Sequence, residues 1–374
     1  MKKTVCSLLI LTVALFTIFL TGCKEEASKP QPNPALADQL LIPPQALRDV
    51  GLEYVFSYVV PIRPGEKIKN FEIIGDRFYV ISGRNYLTSL DRHALNPVYN
   101  WQIAPPETIF CGLREFDNQL YSIVGADLVA FDQAEGKVLM KNSLGFSPLC
   151  SPARNNNFYY VPGTDDRVHA FRAADMVRLF DVSANDGGLI TTVQATSDFV
   201  IFATTAGTIA AIQPDSPTQI WRFEAADAVN APVAYDGKRF VFSSKDACIY
   251  SISAATGKLQ WKYLTSAILT NAPQITDSFV YQFVDGRGLL ALKKVNGELA
   301  WQMPDGLALL AEDGRRVCIM AKNKKLLVYD NVDNKIINEI DVPGITRWAT
   351  NTRDNLIYLG DDAGRIAAIK PIKY

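Results

Sequence analysis

After about residue 50 the chain alternates between short apolar clusters and polar turns rich in Gly, Asp and Asn. Residues 229–263 give the clearest unit. Ala231-Pro232-Val233-Ala234-Tyr235 reads as a short strand and Asp236-Gly237-Lys238 as a tight turn. Arg239 to Ser243 is a second strand, Cys248 to Ile252 a third, and Ala255-Thr256-Gly257-Lys258 turns into a fourth that ends at Trp261. Strands of this length separated by such turns predict a four-stranded antiparallel meander. The next stretch repeats the order, with Asn271-Ala272-Pro273, an apolar run at 278–283, Asp285-Gly286, another run at 289–292, Asn296-Gly297 and Trp301.

The repeat has a fixed period. Trp101, Met140, Phe180, Trp221, Trp261, Trp301 and Ile340 follow one another at intervals of 39, 40, 41, 40, 40 and 39 residues. A period near forty marks an array of equivalent units and is typical of β-propeller blades. Seven recurrences end seven blades. Residues 345–370 add three strands and stop before a fourth, while a strand-like segment at 53–62 has no blade of its own. The fold expected is all-β, an eight-bladed propeller in which the N-terminal strand completes the C-terminal blade and so removes two exposed sheet edges. Seven blades with a leftover strand is the competing count. The propeller domain is placed at residues 51–374.

The N-terminus follows different rules. Lys2 and Lys3 precede a nearly continuous apolar run at 5–20, and Leu20-Thr21-Gly22-Cys23 resembles the bacterial lipobox, with cleavage before Cys23. Residues 1–22 are accordingly read as a lipoprotein signal peptide and Cys23 as the lipidated residue. Lys24 follows Cys23 where an aspartate would signal inner-membrane retention, which favours the outer membrane, facing the periplasm. Residues 23–50 are read as lipidated Cys23 and a flexible tether, since 24–34 hold three prolines and no bulky apolar residue and Pro43-Pro44 reads as a further stop. Without Lys2 and Lys3 the balance is 36 basic against 39 acidic residues, which gives no electrostatic argument for a nucleic-acid partner.

Ala255-Thr256-Gly257-Lys258-Leu259-Gln260-Trp261 resembles the end of the pyrroloquinoline-quinone (PQQ)-type propeller repeat, A-x-D-x-x-T-G-x-x-x-W. Asp132 with Glu135-Gly136-Lys137, and Asn296-Gly297-Glu298 with Trp301, echo it. Lipobox, tether, one eight-bladed body and overall length are similar to the BamB-like outer-membrane assembly lipoproteins. The resemblance implies a monomeric, non-catalytic scaffold held at the membrane by its lipid, binding an envelope protein partner in a β-barrel assembly complex. It also implies a docking loop bearing a leucine–arginine pair. The corresponding stretch, 186–193, keeps Leu189 but lacks the arginine. The alternatives are a ligand- or polysaccharide-binding propeller lipoprotein and, third, a PQQ-dependent dehydrogenase.

The residues bear on these alternatives. Trp101, Trp221, Trp261 and Trp301 sit at the repeat position and read as packing between blades, which leaves only Trp348 free to face the channel as a quinone floor would. No two cysteines are adjacent, as a quinone site commonly requires, so neither a catalytic residue nor a cofactor is assigned. His93 and His169 lack ligand spacing, and no metal site is assigned. Cys111 and Cys150 read as lying on first strands of adjacent blades, where a disulfide is conceivable if the strands approach closely enough. Asn230 and Asn271 enter successive first strands. They either line one rim with Leu189 and Trp348 or cap their own turns.

Overall fold

The computed structural model describes residues 30–36, 39–93 and 96–372. The chain divides into Met1–Pro30 and Gln31–Tyr374, and the second unit is the body described below. The leader, the lipobox and Cys23 lie outside the described residues.

Eight four-stranded antiparallel sheets make up the body. Seven are consecutive in sequence: blade 1 (68–102), blade 2 (110–143), blade 3 (153–182), blade 4 (190–224), blade 5 (234–264), blade 6 (274–303) and blade 7 (306–341). Blade 8 takes Arg347–Ala349, Ile357–Gly360 and Arg365–Pro371 from the C-terminus, and its outermost strand, Leu52–Val59, from the N-terminus. That strand runs antiparallel to Arg365–Pro371, from Leu52 opposite Pro371 to Val59 opposite Arg365. The ring has eight blades, closed by the two ends of the chain.

The reason the middle strands are apolar at nearly every position lies in the ring. In blade 4, Val200–Thr204 and Thr208–Ile212 are buried throughout. Val200 and Phe202 pack towards blade 3, whereas Ile201 and Ala203, one residue out of phase, pack towards blade 5. A strand buried on both faces needs apolar side chains at both parities. The fourth strand is polar at most outward positions, and the blade 4 example, Gln219–Glu224, buries chiefly Trp221. The core is accordingly divided into eight clusters among the described residues, each shared by one pair of neighbouring blades. One of them joins blade 8 to blade 1 through the stacked rings of Phe78 and Tyr358, 4.6 Å apart.

The repeat position performs a second joint. Each indole N–H reaches a turn of the following blade: Trp101 donates to the Glu135 carbonyl at 2.8 Å, Trp221 to Ala254 at 2.9 Å and Trp261 to Lys294 at 3.0 Å. Trp301 donates to Asn331 Oδ1 at 2.7 Å. The rings of Trp101, Trp221 and Trp261 lie against a glycine of that turn, Gly136, Gly257 and Gly297. A methyl on Gly257 would fall 2.5 Å from the Trp221 ring, and one on Gly297 2.6 Å from Trp261. Both glycines also hold positive φ, +66° and +74°. The Thr-Gly of the repeat and the tryptophan one period earlier are thus two halves of one contact.

Order begins earlier than the boundary at 51. Pro44–Asp49 forms a short helix with proline in its first turn, where the missing N–H costs nothing. Ile42, Leu47 and Val50 are buried in the cluster between blades 7 and 8. The Tyr54 hydroxyl ties this segment down, accepting from Ile42 N at 2.9 Å and donating to Ile42 O at 2.8 Å. Pro43-Pro44 therefore opens a helix where the sequence reads as a break, and residues 42–50 belong to the ordered body.

Candidate interaction face

A four-stranded meander puts the turns between strands one and two, and three and four, at one end. The turns between strands two and three, and the connections between blades, lie at the other. First strands of neighbouring blades approach one another, so the inter-blade connections surround the channel mouth.

Leu189 lies in the connection into blade 4 and is 41% exposed. Its backbone is fixed on both sides: Leu189 N donates to Thr205 Oγ1 at 3.0 Å, and Thr205 N donates to Leu189 O at 2.9 Å. Asp186 holds the base of the loop, accepting from Gly188 N at 2.9 Å and from Thr204 Oγ1 at 2.7 Å. Burial pushes the Asp186 carboxyl up. The hydrogen bonds from Thr208, Gly188 and Thr204, with the nearby Arg222 charge, outweigh it and hold the group below the ordinary aspartate range. An apolar side chain is therefore presented to solvent on a rigid support.

An arginine stands beside this loop after all. Arg222, from the fourth strand of blade 4, donates through Nη1 to Ala184 O at 2.6 Å and through Nη2 to Thr208 Oγ1 at 3.0 Å. It comes from more than thirty residues downstream, so the 186–193 stretch gives no sign of it.

Asn230 and Asn271 are exposed at equivalent places on the same face. The carbonyl of Asn271 is anchored by Ser243 Oγ at 2.7 Å and Gln282 Nε2 at 3.1 Å, which fixes the backbone while the side chain faces solvent. Trp348 differs. It lies on the first strand of blade 8, partly buried against the cluster shared with blade 7.

Three residues of this face were not singled out from sequence. Ile109, Leu264 and Ile268 are 72%, 63% and 65% exposed, and all lie in or beside inter-blade connections. Ile268 occupies the register position of Asp227 in the preceding blade, as Asn271 matches Asn230. That mismatch, isoleucine where its repeat partner is a surface aspartate, is the signal the repeat alignment contains.

The cysteines and histidines occupy packing positions. Cys111 is on the first strand of blade 2, but Cys150 precedes the two-residue strand Ala153–Arg154, since Pro148 and Pro152 bracket it and lack ladder donors. Both thiols are free in the structure. Burial, then the proximity of Cys111, pushes the Cys150 thiol up to about 12. His169 is buried in the third strand of blade 3, its Nε2 3.0 Å from Asp165 Oδ1 and its ring 4.1 Å from that of Phe146. His93 lies in a turn, its backbone N–H on Asp91 Oδ1 at 2.8 Å. Among the described residues no group of three or more His, Cys, Asp or Glu side chains is placed to hold a metal ion.

The family described as "Outer membrane protein assembly factor BamB" matches residues 205–372. No curated protein matches the chain. Among solved structures, BamB from Moraxella catarrhalis superposes with a TM-score of 0.65 at 13% identity, covering 85% of this chain and 97% of that one. The computationally designed Ika8 protein superposes with a TM-score of 0.62 at 14% identity, covering 82% and 96%. At these identities the superpositions speak for the fold, while the family match rests on the sequence of the last two strands of blade 4 and of blades 5 to 8. The chain is an eight-bladed β-propeller whose C-terminal part, residues 205–372, matches the family of the outer-membrane assembly factor BamB, which the whole chain resembles in fold.

Proposed function

We propose that this chain is a lipoprotein of the bacterial envelope, anchored through Cys23 to the outer membrane and facing the periplasm. Its propeller is a monomeric, non-catalytic scaffold that docks a protein of the β-barrel assembly machinery. The observation that carries the reading is Leu189, an apolar side chain exposed on a loop whose backbone is fixed at both ends. Such a residue lowers the ordering cost of binding and suits a protein partner. Ile109, Leu264 and Ile268 extend the apolar surface, and Asn230 and Asn271 supply a polar rim. The match to the BamB family supports the choice of partner class. Arg222 braces the chain beside this loop, bound to Ala184 O, Thr208 Oγ1 and Glu224, so the docking assigned here rests on Leu189 rather than on a leucine–arginine pair.

Co-purification from detergent-solubilised envelope tests this. The account expects a barrel-assembly pore protein to be recovered with the wild-type chain and lost with Leu189→Asp, while the melting temperature of the variant is unchanged. Recovery of no such protein, or recovery that Leu189→Asp leaves intact, overturns it.

A further inference from the structure

The end of the propeller opposite the interaction face carries a cavity of about 610 Å³. It is built from the ends of first strands and the turns of blades 2, 3 and 4 that point away from Leu189. Its volume lies within the roughly 300–1,000 Å³ range of small-ligand sites. The geometry points to a binding site for an acidic saccharide, a hydroxyl-rich ring carrying a carboxylate.

Two arginines supply the anion-binding element. Arg114, on the first strand of blade 2, is exposed, and its guanidinium makes no direct hydrogen bond or ion pair among the described residues, acting only at longer range on Glu72. Arg154 is pre-positioned. Its guanidinium lies over the rings of Phe116 and Tyr159, at 5.1 Å and 4.7 Å, and Nη1 donates to Gln119 Oε1 at 2.8 Å. Its Nε is buried without a partner. A planar guanidinium held this way, with donor capacity left over, suits a carboxylate. Of the two carboxylates on the wall, Glu115 packs against Gly75 of blade 1, and Asp215 stands on a turn of blade 4 where it can accept from a sugar hydroxyl.

The remaining wall favours a saccharide over a peptide. Asn156 and Asn157 are exposed, and Ser197 and Gln194 of blade 4 complete the wall, Gln194 through its Oε1 since its Nε2 donates to the Val233 carbonyl, a set of uncharged groups matched to hydroxyls. Phe158, part-exposed on the wall, adds apolar surface for the C–H groups of a sugar, while the Phe116 ring carries Arg154. A peptide captured by its main chain needs a strand edge several residues long. The first strand of blade 3, Ala153–Arg154, provides two.

The test is calorimetric titration of the full-length chain in detergent with digalacturonate, with maltose as the neutral counterpart and with an acetylated tri-glutamate peptide. Digalacturonate is expected to bind, and maltose to bind at least about tenfold more weakly, as expected if charge-assisted bonds are lost. Arg114→Gln, at an exposed position where the fold loses only a longer-range attraction to Glu72, is expected to weaken digalacturonate about tenfold, and Arg154→Gln at least as much. The thermal melt of each variant reports whether it is folded. Absence of digalacturonate binding at millimolar concentration, affinity unchanged in a folded Arg114→Gln chain, or tri-glutamate binding as tightly as digalacturonate would each overturn the assignment. None of these results bears on Leu189, which lies at the other end of the ring.

Discussion

At the scale of the residue, the strongest constraint is the contact between one blade's tryptophan and the next blade's glycine. Gly257 combines positive φ with a ring 2.5 Å from where its Cβ would lie, whereas Gly237, with φ of +88°, has nothing within 4 Å. Alanine at Gly237 is expected to cost about 1 kcal/mol from the backbone alone. At Gly257 the same substitution must also displace the Trp221 ring, and the total is expected to reach roughly 2–4 kcal/mol. Denaturant melts of the two variants check this; equal losses would separate the tryptophan from the architecture. The thiols give a second expectation. With a pKa of about 12, Cys150 holds only about one part in ten thousand as thiolate at pH 8. Native chain treated with iodoacetamide at that pH should leave Cys150 and Cys318 unmodified, and unfolded chain should react at both. A disulfide between Cys111 and Cys150 would show differently, as unfolded chain that alkylates there only after reduction.

At the scale of the element, the two ends of the chain carry the closure. Leu52–Val59 covers the edge of Arg365–Pro371, and Ile42, Leu47 and Val50 seal the cluster between blades 7 and 8. Deleting residues 42–59 is therefore expected to leave blade 8 with an unpaired edge and an open core. Size-exclusion chromatography should then show aggregation or a strand-exchanged dimer, with a melt lowered by well over 10 °C or no cooperative melt. A monomer with an unchanged melt would contradict this role. The closing strand was legible in the sequence because the forty-residue period left it without a blade and left the last blade short of a strand. The order of residues 42–50 was not, because Pro43-Pro44 looks the same locally whether it breaks a segment or starts a helix. What decides is Leu47 packing against residues some 270 positions away. Cys150 misled for a related reason: the period places a first strand there, but flanking prolines shorten that strand to Ala153–Arg154.

At the scale of the whole molecule, the eight inter-blade clusters make a rigid ring whose two ends are free to differ in chemistry. One end presents apolar side chains on fixed loops, and the other gathers arginines, amides and part-exposed aromatic rings around a cavity. The ring itself was legible from periodicity, since every blade must bury apolar residues at both parities against its neighbours. The proposed binding face was legible only in part. Leu189, Asn230 and Asn271 emerged from the repeat and from the resemblance. Arg222 and Ile268 did not, because a binding face collects residues from separate blades and leaves no local motif. The central claim is that the partner docks on the Leu189 end. A photo-crosslinking residue placed at Leu189, at Ile268 and, on the opposite end, at Asn156 tests it in intact cells. The account predicts a cross-link to a barrel-assembly protein from Leu189 and Ile268 and none to that protein from Asn156. The same cross-link from Asn156, or silence at both Leu189 and Ile268, would contradict it.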